Sequence, residues 1–125
     1  MKNILILCFF TIITYGCTDY YVNTIWTSKV SNECIDSLSF KRNKNVSIYS
    51  CELNYKFIGT YQISKDTIIV TEKDDSHGGI VEYFRVKYLL INANLYPVSN
   101  GELIKNKWKD VKIKFDDNNA FVKCK

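Results

Sequence analysis

Apolar and polar residues alternate along most of the chain, and the clearest alternation lies in residues 57–71. This stretch reads FIGTYQISKDTIIVT, in which two runs rich in β-branched and aromatic residues flank a polar break at residues 64–66. Such a pattern is typical of two antiparallel strands joined by a tight turn. We therefore predict a β-hairpin here, to which the rest of the chain adds further strands.

The same alternation recurs at short spacing on both sides of this hairpin, and no stretch has a convincing helical period. The predicted strands are residues 24–26, 34–40, 46–53, 55–63, 67–72, 80–91, 95–98, 108–115 and 120–124. The only proline, Pro97, predicts an edge strand or a strand end, and residues 99–106 are predicted to form a loop or a short helical turn. About eight strands joined by tight turns predict an all-β fold, an antiparallel meander that closes into a small barrel. A two-layer sandwich is the alternative.

The first 16 residues have the pattern of a signal peptide. Lys2 precedes an apolar run at residues 4–13, which is too short to span a bilayer but matches the apolar region of such a peptide. Polar residues begin abruptly after Cys17. We predict that residues 1–16 are removed, that residues 17–24 form a lipidated tether and that residues 25–125 form the β domain.

The junction of Gly16 and Cys17 resembles the lipobox of bacterial lipoproteins. In that family the cysteine receives a diacylglycerol, the chain is cut just before it, and the new N-terminus is often acylated. Two or three acyl chains anchor a protein stably, whereas one holds it only marginally. The resemblance implies a lipid-anchored protein of the bacterial cell envelope, at the outer membrane.

Three of the five cysteines remain after Cys8 leaves with the signal peptide and Cys17 carries the lipid. An exported chain meets oxidising conditions, in which a disulfide persists. We favour a bond between Cys34 and Cys51, because they lie on neighbouring predicted strands separated by one turn. A bond between Cys51 and Cys124, or three buried free thiols, are the alternatives. The spacing lacks the paired cysteines typical of zinc sites.

The formal net charge is +4, and the lysines are concentrated late in the chain. They are Lys105, Lys107, Lys109, Lys112, Lys114, Lys123 and Lys125. Alternation with apolar residues predicts that Lys112 and Lys114 line the outer face of a strand, where lysine usually prevents edge-to-edge pairing. An anionic partner, such as lipid headgroups or glycans, is the alternative. We do not expect an exported chain to bind nucleic acid.

The clearest predicted loop is residues 73–79, KDDSHGG, which contain the only histidine, His77. Asp74, Asp75 and His77 offer metal ligands, but a solvated hairpin loop is the favoured interpretation. The histidine follows a serine directly in sequence, which is a poor indication of nucleophilic catalysis. The acids at residues 116–117 precede two asparagines and predict a turn. We therefore predict a protein that is not an enzyme and has no cofactor or metal.

A family resemblance extends over most of residues 24–98. Trp26, the sequence DSLSF at residues 36–40 and the hairpin at residues 57–71 occur in the order typical of the small lipocalin-like lipoproteins of Bacteroidota. Members pair an early tryptophan with a G-T-Y-x-I strand and a D-T-I-x-I strand after a tight turn. The resemblance implies a small β-barrel that holds an apolar ligand, without implying a reaction.

Two functions follow from this interpretation. In the first, the barrel binds a small apolar or amphipathic ligand in its mouth, as eight-stranded barrels can. The candidate lining residues, each with core packing as the alternative, are Trp26, Tyr49, Tyr61, Tyr83 and Trp108. In the second, the domain is an envelope protein-interaction module or inhibitor that uses exposed tyrosines and the late lysines. A large cavity favours the first function, and a filled interior with an exposed aromatic patch favours the second.

Overall fold

The computed structural model describes residues 20–73 and 80–124; the predicted signal peptide, the lipidation site Cys17 and the candidate metal loop at residues 74–79 lie outside the described residues. The described residues form nine strands and two short 3-10 turns. The strands are β1 (Thr24–Ser31), β2 (Cys34–Phe40), β3 (Asn45–Ser50), β4 (Tyr55–Ser64), β5 (Thr67–Lys73), β6 (Tyr83–Ile91), β7 (Asn94–Ile104), β8 (Lys107–Lys112) and β9 (Phe121–Lys123). No helix in these ranges has the length and apolarity needed to cross a bilayer.

The strands close into an antiparallel barrel. Each strand from β1 to β7 pairs with the next one along the chain, and β9 joins β7 to β1 to complete a ring of eight strands. The ninth strand, β8, is attached to β7 outside this ring. The prediction of an all-β antiparallel barrel is confirmed, and the sandwich alternative is wrong because the sheet is a single closed one.

The edge of β7 that faces away from β6 is shared by two strands. β9 pairs with Asn94 and Leu95, and β8 pairs with the second half of β7, from Ser99 to Ile104. Both strands run antiparallel to β7 and lie end to end along this edge of it. Residues 113–120 lie between them. Only the β9 part reaches β1.

The prediction of a loop or helical turn at residues 99–106 is wrong. β7 continues to Ile104, and the turn is confined to Lys105 and Asn106, both of which have positive φ. The polar, glycine-containing sequence of this stretch is typical of a loop. It forms a strand because it pairs with β6 on one side and with β8 on the other.

Pro97 lies inside β7, not at an edge or a strand end as predicted. The pairing of β6 with β7 shifts register between Lys87 and Tyr88, so that Val98 is left over between two paired residues. A bulge of this kind is one of the few places where a strand accommodates a residue without an N–H group.

The core fills one end of the barrel, here called the closed end. Its buried residues are Tyr21, Trp26, Leu38, Phe40, Val46, Tyr61, Ile68, Val70, Tyr88, Leu95 and Phe121. The rings of Phe40 and Tyr61 meet edge to face with their centroids 4.8 Å apart, a geometry that aromatic pairs prefer. The indole N–H of the fully buried Trp26 donates to Thr24 Oγ1 over 2.9 Å, so the core leaves this polar group satisfied.

The folded body begins inside the stretch 17–24 that was predicted to be a tether. Tyr21 is buried, and its ring centroid lies 6.0 Å from that of Trp26 and 5.8 Å from that of Phe40. Its carbonyl oxygen accepts a hydrogen bond from the Thr24 N–H over 3.1 Å. The aromatic ring of Tyr21 therefore belongs to the core, and the chain enters the barrel at its closed end.

Candidate functional site

The inward-facing row of side chains continues past the core to the opposite end of the barrel, here called the mouth. Because successive side chains of a strand point to opposite faces, the pairing register identifies the residues that share the inner face with Trp26 and Leu38. At the mouth these inward-facing residues include Ser28, Asp36, Ser50, Phe57, Glu72 and Phe84. The mouth thus combines apolar rings with acids and hydroxyls.

Two phenylalanines supply the apolar surface of the mouth. Phe57 lies opposite Ile48 on β3, and its ring meets that of Tyr55 edge to face at a centroid distance of 4.8 Å. Phe84 lies opposite Glu72 on β5. Both phenylalanines are half-buried, and neither belongs to the core cluster. They therefore present apolar surface inside the barrel that solvent still reaches.

Polar groups lie on the inner wall beside these rings. Ser28 is buried, and Asp36 is half-buried with its Oδ1 accepting a hydrogen bond from the Cys51 N–H over 2.9 Å. Burial raises the pKa of the Tyr88 phenol well above its usual range, and the negative charges of Glu72 and Asp36 raise it further. Tyr88 therefore stays protonated at neutral pH.

A disulfide braces the rim of the mouth. Cys34 and Cys51 are bonded with their Cα atoms 5.4 Å apart, so the favoured pairing is confirmed and its alternatives are wrong. A carboxylate oxygen of Asp36 lies within 4.8 Å of both sulfur atoms, but sulfurs joined in a disulfide are not thiolate ligands for a metal. Cys124 is free and exposed, with its Sγ 3.7 Å from Thr27 Oγ1.

Comparisons with known proteins add no assignment for this barrel. No protein-family model, curated protein or solved structure matches the chain. One barrel architecture supports many unrelated functions. The function therefore has to be inferred from the chain's own residues, above all from those at the mouth.

The five aromatic residues predicted to line a ligand site are not brought together. Trp26 and Tyr61 face inward but are buried in the core at the closed end. Tyr49, Tyr83 and Trp108 lie on the outer face, because their strand neighbours Ile48, Phe84 and Lys109 occupy the inner positions. The alternation of apolar and polar residues along a strand shows that the strand has two different faces. It does not show which of these faces points into a closed barrel.

The residues that the sequence interpretation missed are Phe57, Phe84, Asp36 and Glu72. Each shares an inner face with a core residue two or four positions away on its own strand, as Asp36 does with Leu38 and Phe57 does with Tyr61. That parity, followed outward from the core along each strand, would have identified all four. An acid in an inward position does not look like a site in the sequence, because acids are usually exposed.

An outer cluster fastens β8 to the barrel. Tyr83, Leu103 and Trp108 are neighbours across β6, β7 and β8. The Arg85 guanidinium lies 4.1 Å from the centroid of the Trp108 ring, and its Nε donates to Asp110 Oδ1 over 2.9 Å while a second N–H contacts the other carboxylate oxygen. These hydrogen bonds lower the pKa of Asp110, so its charge is paired with that of Arg85.

The acids at residues 116–117 form a turn, as predicted. Asp116 Oδ1 accepts a hydrogen bond from the Asn118 N–H over 2.9 Å at the start of a 3-10 turn. Asp117 Oδ1 accepts from the Tyr96 hydroxyl over 3.2 Å. Both carboxylates therefore stabilise the connection between β8 and β9.

Proposed function

We propose that the protein is a non-enzymatic binding protein that takes a small amphipathic molecule into the mouth of its barrel. The observation that carries this proposal is the pair Phe57 and Phe84, which face inward, remain half-exposed and lie beyond the core. Small-molecule sites are usually lined by apolar and aromatic side chains with a few polar groups. Because the core occupies the closed end, the ligand would fill only the mouth half of the barrel.

The charges at the mouth select the polar end of the ligand. The Asp36 carboxylate lies on the inner face of the barrel at the mouth. A ligand carboxylate brought beside it would be repelled and would lose its hydration, which is costly. A cationic head group would be attracted instead, and an uncharged hydrogen-bond donor would be accepted. We therefore favour an amine-bearing amphiphile over a fatty acid.

The proposed ligand can be tested with two fluorescent probes, a dansylated alkylamine and a dansylated fatty acid of the same chain length. We expect the alkylamine probe to bind more tightly than the fatty acid and to shift its emission to shorter wavelength. Phe57→Ser should weaken its binding about tenfold, since a buried aromatic contact is worth about 1.5–3 kcal/mol.

The matched control for Phe57→Ser is Ile58→Ser, one residue along the same strand. Ile58 is 65% exposed on the outer face, so this change should leave probe binding unaltered. Failure of both probes to bind, or an equal effect of the two substitutions, would contradict a ligand site at the mouth.

We also propose that Cys17 carries a lipid that holds the barrel at the surface of a bacterial envelope membrane. The chain enters the barrel at the closed end, where Tyr21 is buried, so a tether from Cys17 would leave the mouth facing away from the bilayer. A disulfide is also typical of exported proteins. Cys17→Ser should move the protein from the membrane fraction to the soluble fraction. A variant that stays on washed membranes would contradict the anchor.

A second candidate function, an envelope protein-interaction module, is favoured by a separate observation. β8 is attached to the barrel through β7 alone among the described strands, and its side chains are rich in lysine. Such a strand has the backbone groups of one edge available to a partner. The membership of the chain in the lipocalin-like lipoproteins stays a prediction under either function.

A further inference from the structure

Among residues 20–73 and 80–124, the wall of the barrel has an unpaired seam at the mouth. β9 pairs with Trp26 and Thr27 of β1, and no described residue pairs with that edge of β1 further towards the mouth, at Lys29. In the described ranges, β8 likewise has no pairing partner on the edge that faces away from β7. Two strand edges whose backbone groups have no partner in the described part of the chain therefore flank this seam.

The turn between β7 and β8 identifies the free groups of β8. Lys105 and Asn106 both have positive φ, which is the conformation of a two-residue type I′ hairpin turn. Ile104 and Lys107, which flank the turn, then exchange hydrogen bonds, and the residues along β8 alternate between bonded and free positions. The backbone N–H and C=O groups that point away from β7 are those of Trp108, Asp110 and Lys112.

The free edge carries a strong positive charge. The exposed lysines in and around β8 are Lys105, Lys107, Lys109, Lys112 and Lys114. The one acid among them, Asp110, is paired with Arg85. Even on the face of β8 that continues the inner wall, Lys109 and Val111 are exposed, with Val111 exposed by 68%. β8 is therefore turned away from the barrel interior and reachable along its length.

We propose that the free edge of β8 binds an extended acidic polypeptide segment as an added antiparallel strand. Unpaired backbone groups at strand spacing are satisfied by another strand, which gives affinity, while alternate side chains give specificity. Glutamates or aspartates on the added strand would lie opposite the lysines of β8. An opposite-charge pair across two strands is stabilising, and a like-charge pair is destabilising.

The same charges disfavour a second copy of this chain as the occupant. An antiparallel pair of two β8 strands would place lysines of one copy beside lysines of the other, which is the arrangement that edge lysines prevent. β8 is also held in place before binding, because Arg85 covers Trp108 and contacts Asp110. Little ordering of the edge would then be required when the partner binds.

The proposal is tested by amide exchange on the 15N-labelled chain. The probe is a capped peptide of alternating glutamate and valine, and the controls are a lysine–valine peptide and an N-methylated glutamate–valine peptide. The acidic peptide should slow exchange about tenfold or more at Trp108, Asp110 and Lys112 and leave Lys109 and Val111 unchanged, because those two amides already face β7. Neither control peptide should slow exchange.

A charge-reversal variant tests the lysines separately from the backbone. The combined change Lys107→Glu, Lys109→Glu and Lys112→Glu should weaken binding of the acidic peptide about tenfold. The matched control reverses Lys41, Lys44 and Lys65, which are exposed in turns at the closed end, and should bind as the unaltered chain does. Added salt should weaken binding to the unaltered chain.

Three results would overturn the proposal. Slowed exchange at Trp108, Asp110 and Lys112 without peptide, rising with protein concentration, would assign the edge to a second copy. Binding of phosphatidylglycerol vesicles through the lysines, with no peptide binding, would assign it to a lipid surface. Equal binding of the acidic and N-methylated peptides would show that the backbone edge is not used.

Discussion

Replacing Gly59 by alanine tests the close approach of β4 to β5 in the barrel wall. Gly59 is buried and pairs with Val46 on one side and Glu72 on the other. A Cβ atom at this position would lie 2.5 Å from the carbonyl oxygen of Thr71 and 3.2 Å from its carbonyl carbon. Glycine within a strand often marks such an approach of two backbones.

The structure sets the size of the effect. The 2.5 Å contact has to open to at least 3.0 Å, and Thr71 cannot yield freely because β5 is paired on its other side with Arg85 of β6. Overpacking of this kind costs about 1–3 kcal/mol. The alanine recovers about 0.4–1 kcal/mol by restricting the unfolded chain. A net loss of about 1–2 kcal/mol corresponds to a fall in Tm of about 5–10 °C for a domain of this size.

Gly101→Ala is the matched control for this experiment. Its Cβ would meet Arg85 Cγ at 3.3 Å and the Asp110 carboxylate, an exposed side chain that can turn aside at the expense of its pairing with Arg85; such an exposed pair is worth about 0–1 kcal/mol. Stability should change by less than about 0.5 kcal/mol. Thermal and urea unfolding of both variants, followed by near-ultraviolet circular dichroism, would measure the difference. Equal losses, or a Gly59→Ala variant as stable as the unaltered chain, would refute the close backbone contact.

Three further changes have defined outcomes. Replacing Cys34 and Cys51 together by serine should lower the free energy of unfolding by about 3 kcal/mol, because the bond closes a loop with a sequence separation of 17. The unaltered chain in reducing agent should unfold at the same urea concentration as this variant. An unchanged free energy of unfolding in the variant would contradict a stabilising bond. Tyr61→Phe should cost about 1 kcal/mol in urea unfolding, since its hydroxyl donates to a backbone carbonyl over 3.2 Å, and an unchanged midpoint would argue against that hydrogen bond. Burial raises the pKa of Tyr21 from 10.0 to about 12 and raises that of Tyr88 as well, so the unfolded chain loses these protons first. The stability that these two tyrosines contribute should be level below pH 10 and should fall as the pH rises from about 10 to 12. Absorbance at the phenolate band should show these tyrosines ionising only with unfolding, and normal titration of every tyrosine in the folded protein would contradict their burial.

The sequence predicted those parts of the fold where burial imposes alternation. The strand at residues 34–40 has the predicted bounds because Leu38 and Phe40 face the core and their neighbours do not. The turn at Lys65 and Asp66 also lies where the polar break indicated. The second half of β7 was missed because residues 99–104 lack the alternating row of buried apolar side chains that marks a strand in the sequence. These residues are held instead by pairing with β6 and β8 and by the Arg85 side chain that lies against Gly101.

The site was less predictable than the fold. Aromatic residues such as Trp26 and Trp108 were treated alike, although one is fully buried in the core and the other lies under Arg85 on the outer face. Which face a strand turns inward depends on how the sheet closes, through pairing of β1 with β9 near the two ends of the described chain. Such a distant contact leaves no pattern within either strand.

Native mass spectrometry of the chain purified from its own host tests the ligand site at the mouth most directly. Unaltered protein, Phe57→Ser and Ile58→Ser would be compared under the same gentle conditions. We expect a single small-molecule adduct on the unaltered protein and on Ile58→Ser, and its loss from Phe57→Ser. A bare protein mass in all three samples, or an equal adduct on Phe57→Ser, would contradict binding in the mouth.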